Sequence, residues 1–447
     1  MPALAAIEFH RKQADARAAH HALVRTLPAA SLTPHAPSPT MPAMNGPRFS
    51  ALLAALGFLA TNSSADWLQY RGPTQNGAVA DRLPLALPSA PKVLWKAQTG
   101  TSTAGVTVSG DRAFTMGNYE KSKDVVVCLD VKTGKEVWRH EFPLALDPNS
   151  FEGGPRSTPT VDGGVVFTMS HQGDLWALNA ATGKPVWYKH AQKDLGAKRP
   201  GWGYACSPLV EGNLLLIDAG GAGCSTIALN KTNGDVVWKS GDDAAGYASP
   251  VVADLGGKRT VVMFKASAVA GLDVKDGKEL WRTPWKTSYD VNAATPVIAG
   301  NAVLISSGYG TGAALFEVGG GGVSQKWRNK SLRAHFNSPV IHQGAIYGID
   351  GNTGGGNLVC LDLATGTVKW TEKSVQGGSL ILAGGKLICL TEKGELVIAD
   401  AAPGAFHATL RVPVMEKRCW VQPTLSGGRL FVKNNEGDLT CLDFGAK

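Results

Sequence analysis

The chain has 447 residues, 44% hydrophobic and 18% charged, with 54 glycines and a formal net charge of +8. There are no coiled-coil heptads, and no apolar run reaches the roughly 18 residues that would cross a bilayer. The basic surplus is mild and shows no Lys/Arg stripe interleaved with stacking aromatics, so nucleic acid is not an expected partner.

Residues 1–40 are polar and Pro-rich, and read as a start-site over-call or a disordered extension. Met41 or Met44 is the more sensible start. Arg48, the apolar stretch from Phe49 to Ala60 and the small residues Ser63-Ser64-Ala65 then form the three parts of a secretory signal peptide over 41–65. A surface helix at 49–60 is the alternative. Asp66 would begin the mature chain, which places it in the periplasm or outside the cell. No cysteine follows the expected cleavage site, so a lipoprotein anchor is not indicated there.

From about residue 91 onward the chain repeats. Trp95, Trp138, Trp187, Trp238, Trp281, Trp327 and Trp370 recur 43 to 51 residues apart. Most close one phrase, clearest in Leu129-Asp130-Val-Lys-Thr133-Gly134-Lys-Glu-Val-Trp138 and Leu361-Asp362-Leu-Ala-Thr365-Gly366-Thr-Val-Lys-Trp370. A repeat of this length built from strands and turns predicts a β-propeller. The span from Ser157 to His190 parses into four strands separated by Gly/Asp turns, so each unit is one blade. In the phrase, the Asp or Asn accepts hydrogen bonds from the turn, the Gly supplies a positive φ, and the Trp sits on the outermost strand, where it docks against the adjacent blade.

Counting by Asp130, Asn179, Asn230, Asp273, Glu317, Asp362, Asp400 and Asp443 gives eight blades over 91–447, preceded by a lead-in at 66–90. The last copy stops where its outer strand should begin, whereas Val93-Leu94-Trp95 is an outer strand with no blade before it. The fold expected is therefore all-β, an eight-bladed propeller of four-stranded blades whose last blade is closed by the N-terminal strand. A monomer is expected.

The seven cysteines include Cys128, Cys360 and Cys441 at one repeat position, where other copies have Ala177 and Ala228. This reads as a small buried packing site with free thiols. A Cys206 to Cys224 disulfide is compatible with an oxidising compartment.

The segments leading into the inner strands carry unusual side chains, and register gathers Arg156, Trp202, Tyr204, Tyr247, Asn292, His335, Asn337, Arg418 and Trp420 around one channel mouth. Such a set suits a planar polar ligand or a peptide. Alternatively the same side chains plug the channel and bond one another. No Cys-x-x-Cys-His, His-x-x-x-His, EF-hand or phosphate-loop phrase occurs, so no metal site, haem or catalytic set is expected.

The phrase Ala/Cys-Leu-Asp-x-x-Thr-Gly-x-x-x-Trp resembles the pyrroloquinoline quinone (PQQ) repeat, and Asp66-Trp-Leu-Gln-Tyr-Arg-Gly-Pro-Thr-Gln-Asn-Gly resembles the lead-in of secreted PQQ-like propellers. That family holds quinoprotein dehydrogenases and also propellers without a cofactor, such as outer-membrane-protein assembly factors of the BamB type. The dehydrogenases carry adjacent cysteines and an Asn-Pro calcium segment, and this chain has neither; the assembly factors' lipid-anchoring Cys is also missing. The resemblance implies a non-catalytic scaffold binding a protein partner or small polar ligand, with no cofactor. Its rival is a PQQ-dependent alcohol dehydrogenase, with PQQ and calcium lined by Arg156, Asn292, Asn337 and Trp420. Sugar or peptide recognition by the aromatic mouth is a third reading.

Overall fold

The computed structural model describes residues 66–84, 87–147, 151–352 and 355–445; the expected extension and signal peptide lie outside the described residues. Every regular element among these residues is a strand. They form eight sheets, and seven of these are built on a single-stretch antiparallel meander of four strands: blade 1 (107–143), blade 2 (160–190), blade 3 (209–240), blade 4 (251–284), blade 5 (297–329), blade 6 (340–376) and blade 7 (379–413), the last with one further strand from the lead-in. Blade 8 has three strands at 424–443 and takes its fourth from Lys92–Gln98. The chain is an eight-bladed β-propeller.

Burial explains the strand sequences. In Lys123–Asp130 of blade 1, Val125 to Leu129 are all buried, because blades cover both faces of a third strand and the run needs no polar alternation. The outer strand Glu136–Pro143 alternates instead, exposing Val137 while burying Trp138 and Phe142. The core is accordingly a series of clusters between neighbouring blades, with Trp138 packing among residues of blades 1 and 2, and Trp238 among those of blades 3 and 4.

The repeated phrase builds both a turn and a joint. Asp130 Oδ1 accepts from Lys132 N, Thr133 N and Thr133 Oγ1 at 3.1, 2.8 and 2.8 Å, and Asn179 and Asp362 hold their turns in the same way. Gly134, at φ 68°, then faces the Trp95 ring so closely that a Cβ there would lie 2.5 Å from it. Each docking indole also donates Nε1–H to the carbonyl after the next blade's acid or amide: Trp95 to Val131 and Trp138 to Ala180 at 2.9 Å, and Trp238 to Val274 at 3.0 Å. Trp187 and Trp327 do the same to Lys231 and Leu363, and Trp370 donates one residue further on, to Ala402 two after Asp400. Trp281 differs. Blade 5, which should receive it, replaces the phrase with Glu317 and a hairpin between Gly312–Gly319 and Gly322–Asn329, and Trp281 Nε1 is buried without an acceptor.

The Cys/Ala position is explained by register. Cys128, Ala177, Ala228, Gly271, Cys360 and Cys441 stand directly opposite Trp138, Trp187, Trp238, Trp281, Trp370 and Trp95. The indole folds over this partner, most closely at Gly271, and the site is small in these six copies, whereas the worn copy of blade 5 sets Leu315 opposite Trp327. All seven cysteines are buried and free, and Cys206 and Cys224 are not bridged.

Closure pairs Trp95 with Cys441 and Gln98 with Asp438, and Gln98 Nε2 donates to Asp438 Oδ1 at 3.0 Å. A buried lysine reinforces this seam. Lys433 of blade 8 donates to Ser102 Oγ, Ala104 O, Thr115 Oγ1 and Met116 O of the blade 1 side at 2.5 to 3.2 Å. With no carboxylate among these partners, burial pushes its pKa down to about 7.

The lead-in is an ordered strap. Trp67 exchanges two backbone hydrogen bonds with Val108 of blade 1, and Leu68 O accepts from Val161 N of blade 2. Gln75 Oε1 accepts from Val252 N of blade 4. The fully buried Arg71 donates to Ser338 O and Pro339 O beside blade 6. Ala78–Val79 then adds a fifth, parallel strand to blade 7, and Asp81 accepts from Gly427 N of blade 8. The contacts to Val108, Val161 and Val252 fall inside the inner strands and those of Arg71 just before the inner strand of blade 6, so the strap lies across the end of the channel away from the mouth.

Replacing Trp238 and Trp281 each by Phe separates the hydrogen bond from the packing. Trp238→Phe leaves the Val274 carbonyl without its donor and should cost about 1–3 kcal/mol more than Trp281→Phe, whose N–H has no acceptor to lose; urea denaturation of the two variants measures the difference.

Candidate functional site

The segments that lead into the inner strands run along the channel in extended form, so alternate residues face the axis. Five blades place a hydroxyl at the same level, just before Pro in the phrases Thr158-Pro, Ser207-Pro, Ser249-Pro, Thr295-Pro and Ser338-Pro. These side chains are tied from blade to blade. Gly105 N donates to Thr158 Oγ1, Thr158 N to Ser207 Oγ, Ser207 N to Ser249 Oγ, Ser249 N to Thr295 Oγ1 and Thr295 N to Ser338 Oγ, at 2.8 to 3.1 Å. Gly105 has to be glycine, since a Cβ there would lie 2.8 Å from Thr158 Oγ1. The result is a girdle of hydroxyls around the channel. Proline at the next position has no N–H to leave unpaired.

Above the girdle, two residues earlier in each segment, comes a second tier: Arg156, Ala205, Tyr247, Ala293, Phe336 and Trp420. Both tiers line a cavity of ≈ 250 Å³, floored by Tyr70 of the strap. Of the residues that the sequence places at the mouth, Arg156, Trp202, Tyr247, His335, Asn337 and Trp420 line this cavity. Arg418 stands at its rim, with its guanidinium 4.9 Å from the Trp420 ring centroid and 5.9 Å from that of Phe151. It donates to Glu152 Oε1 at 2.8 Å, and Glu152 Oε2 accepts from Asn435 Nδ2 at 3.1 Å.

Tyr204 and Asn292 do not reach the cavity. Tyr204 is buried between blades 2 and 3, with its hydroxyl donating to Ala219 O at 3.1 Å. The Asn292 amide donates to Lys265 O and Ala266 O, and its carbonyl accepts from Ser307 Oγ at 2.7 Å. Each stands three residues before its blade's hydroxyl, one step out of phase with Ala205 and Ala293, and faces the space between blades; His335 holds the same position in blade 6 and still lines the cavity. Conversely, Phe151, Phe336 and Tyr309 line the cavity without having been singled out. Counting back by twos from each Ser/Thr-Pro would have found Phe336.

The rim is a chain of rings in contact. Trp202, Phe151, Trp420, Phe336, His335, Tyr309 and Tyr289 follow one another with centroids 4.7 to 6.4 Å apart. Burial lowers the His335 pKa to about 4, so this ring is neutral at pH 7. Asn337 donates to Gly378 O at 3.0 Å, and its Oδ1 is buried without a partner.

A model of the family described as Outer membrane protein assembly factor BamB matches residues 88–146, 122–372 and 355–446. The chain belongs to that family. The BamB of Shewanella oneidensis is 24% identical to it over 322 residues, which cover 64% of this chain and 75% of the relative. A quinoprotein ethanol dehydrogenase of Pseudomonas aeruginosa is 31% identical over 150 residues, only 30% of this chain and 23% of that enzyme. The solved structure of BamB from Moraxella catarrhalis superimposes with a TM-score of 0.59 at 16% identity, covering 79% of this chain and 100% of that one, a likeness of fold.

PQQ, the cofactor of the dehydrogenase branch, is a planar tricarboxylate held with a divalent cation. The lining of this BamB-family cavity does not fit it. Calcium takes 6–8 oxygen ligands, carboxylates among them, and the one carboxylate in the described lining, Glu152, is engaged by Arg418 and Asn435. Three carboxylates would meet one lining guanidinium, Arg156.

Beside the mouth, blades 1 and 2 enclose a polar group of another kind. Asn118 Nδ2 donates to Asp124 Oδ1 at 2.7 Å, while Asp124 Oδ2 and both ring nitrogens of His171 are buried without partners. His171 Nδ1 stands 3.9 Å from Asp124 Oδ2, and burial lowers its pKa to about 4, so the two form no ion pair at neutral pH. Burial raises the Asp124 pKa to about 7; the bond from Asn118 opposes this, Asp174 adds to it and Arg156 opposes it. A carboxyl whose folded pKa exceeds its unfolded value stabilises fully below the unfolded value and loses that contribution as pH rises through the folded one. Asp124→Asn should therefore flatten the stability profile between about pH 4 and 7, with the variant gaining on the parent as pH rises; chemical denaturation at four pH values across this window measures it.

Proposed function

We propose that this propeller is a non-catalytic binding scaffold working outside the cytoplasmic membrane, and that the aromatic mouth is its contact surface. The observation that carries this reading is the pairing of a strapped channel end with an open one, where seven rings in contact surround a ≈ 250 Å³ cavity. Aromatic side chains offer large contact area at low entropic cost and are enriched where proteins meet. Membership of a family named for the assembly of outer membrane proteins supports a scaffold working with protein partners. The apolar residues exposed on outer strands recur around the disc one or two to a blade, as with Val137, Val186 and Tyr188, and Val236 and Val237, and form no chain of rings like that at the mouth.

Tyr289 at the rim and Val186 on the outer strand of blade 2 are equally open, at 50% and 49% exposure. p-Benzoyl-phenylalanine at position 289 should give adducts with a partner in its native compartment, the same group at position 186 should not, and Trp202→Ala with Trp420→Ala should remove the adducts at 289. Adducts at 186 alone would move the contact surface to the blade edges. Mixing the chain with PQQ and calcium should leave no quinone absorbance on the protein and no alcohol-dependent dye reduction; turnover would retire the scaffold reading.

A further inference from the structure

Hydrogen-bonding groups that face the cavity are out of balance. Each girdle hydroxyl accepts one backbone N–H from the preceding blade, and none of the five gives its own O–H to an acceptor among the described residues. Trp420 Nε1 is a buried donor without an acceptor. Arg156 donates to Trp202 O and has no carboxylate within ion-pair distance among the described residues. On the acceptor side stand Asn337 Oδ1, one ring nitrogen of the neutral His335, the Oε1 of Gln422, whose Nε2 donates to Leu380 O, and the Glu152 carboxylate, already engaged by Arg418 and Asn435.

A cavity with more donors than acceptors and one guanidinium that no carboxylate pairs directly, Asp147 and Asp124 acting on it only from further away, is matched by an acceptor-rich group carrying one negative charge. Holding a guanidinium away from water costs free energy that an anion offsets, and charge-assisted bonds to a carboxylate are among the strongest hydrogen bonds in proteins. A phosphate monoester would bring about 1.5 to 2 charges against that single cation. We infer that the cavity receives the carboxylate of its ligand on Arg156 and the girdle O–H groups, with an apolar or planar body held among the rim rings. This deepens the reading of the mouth as contact surface and rests on it. The carboxylate belongs either to a free organic acid or to the end of a peptide chain, and the chemistry is the same.

The test titrates the full chain by tryptophan emission with 3-phenylpropionate against 3-phenylpropionamide, and with acetyl-Gly-Leu bearing a free against an amidated C terminus. In at least one pair the acid should bind about tenfold more tightly than the amide, and Arg156→Gln should bring the two members within about twofold. The pair that shows the preference identifies the source. If Arg156→Gln does not fold, the parent chain decides: the acid's affinity should fall to that of the amide as pH is lowered through the ligand's own carboxyl pKa. Equal affinities of acid and amide, a preference that survives Arg156→Gln or ligand protonation, or no binding by any of the four probes would overturn the carboxylate assignment. The adducts at position 289 would still stand in each of those cases.

Discussion

The joint between blades is the interaction on which the rest of this structure depends. An indole on one blade's outer strand lies over a left-handed glycine of the next blade's turn and donates to the carbonyl beside it. This fixes both the distance and the angle between neighbouring sheets, because the ring must touch the glycine face while its N–H points at a single oxygen. Made by six indoles around the disc, it sets the spacing of most neighbouring blades and with it the radius of the channel. The girdle hydroxyls can then reach the backbone of the preceding blade at 2.8 to 3.1 Å, and the cavity above them takes its width from joints formed far away at the perimeter.

Much of this was legible because the chain states the same local chemistry several times. Asp130, Gly134 and Trp138 make a turn and a joint within nine residues, and the surplus outer strand at Val93 to Trp95 together with the shortfall after Asp443 located the closure. Residues 66–84 were opaque for the opposite reason. Their partners lie hundreds of positions away, as when Arg71 bonds Ser338 and Pro339, and no repeat announces a strap. At the mouth, six of the nine residues singled out line the cavity, and Tyr204 and Asn292 miss it by phase. They differ from Ala205 and Ala293 by one residue, and in these two extended segments one residue separates the channel from the space between blades.

The two ends of the channel are chemically distinct. Arg71 closes one end with bonds to carbonyls alone, and burial lowers its pKa to about 10, a cost accepted for holding the strap across several blades at once. At the mouth, Arg156 has a carbonyl for one N–H and faces the cavity with the rest. One guanidinium serves architecture and the other is left available.

The seam between Gln98 and Asp438 joins residues 340 positions apart. During synthesis, blades 1 to 7 can be complete while blade 8 still lacks its strands, so Lys92–Gln98 remains an unpaired edge until the end of the chain emerges. Long-range pairing of this kind is slow, and an open edge is prone to wrong partners in the meantime. The nascent ring is therefore most exposed to misassembly just before its final strands arrive, and a chain cut short by the length of one strand would keep its joints but lose its lock.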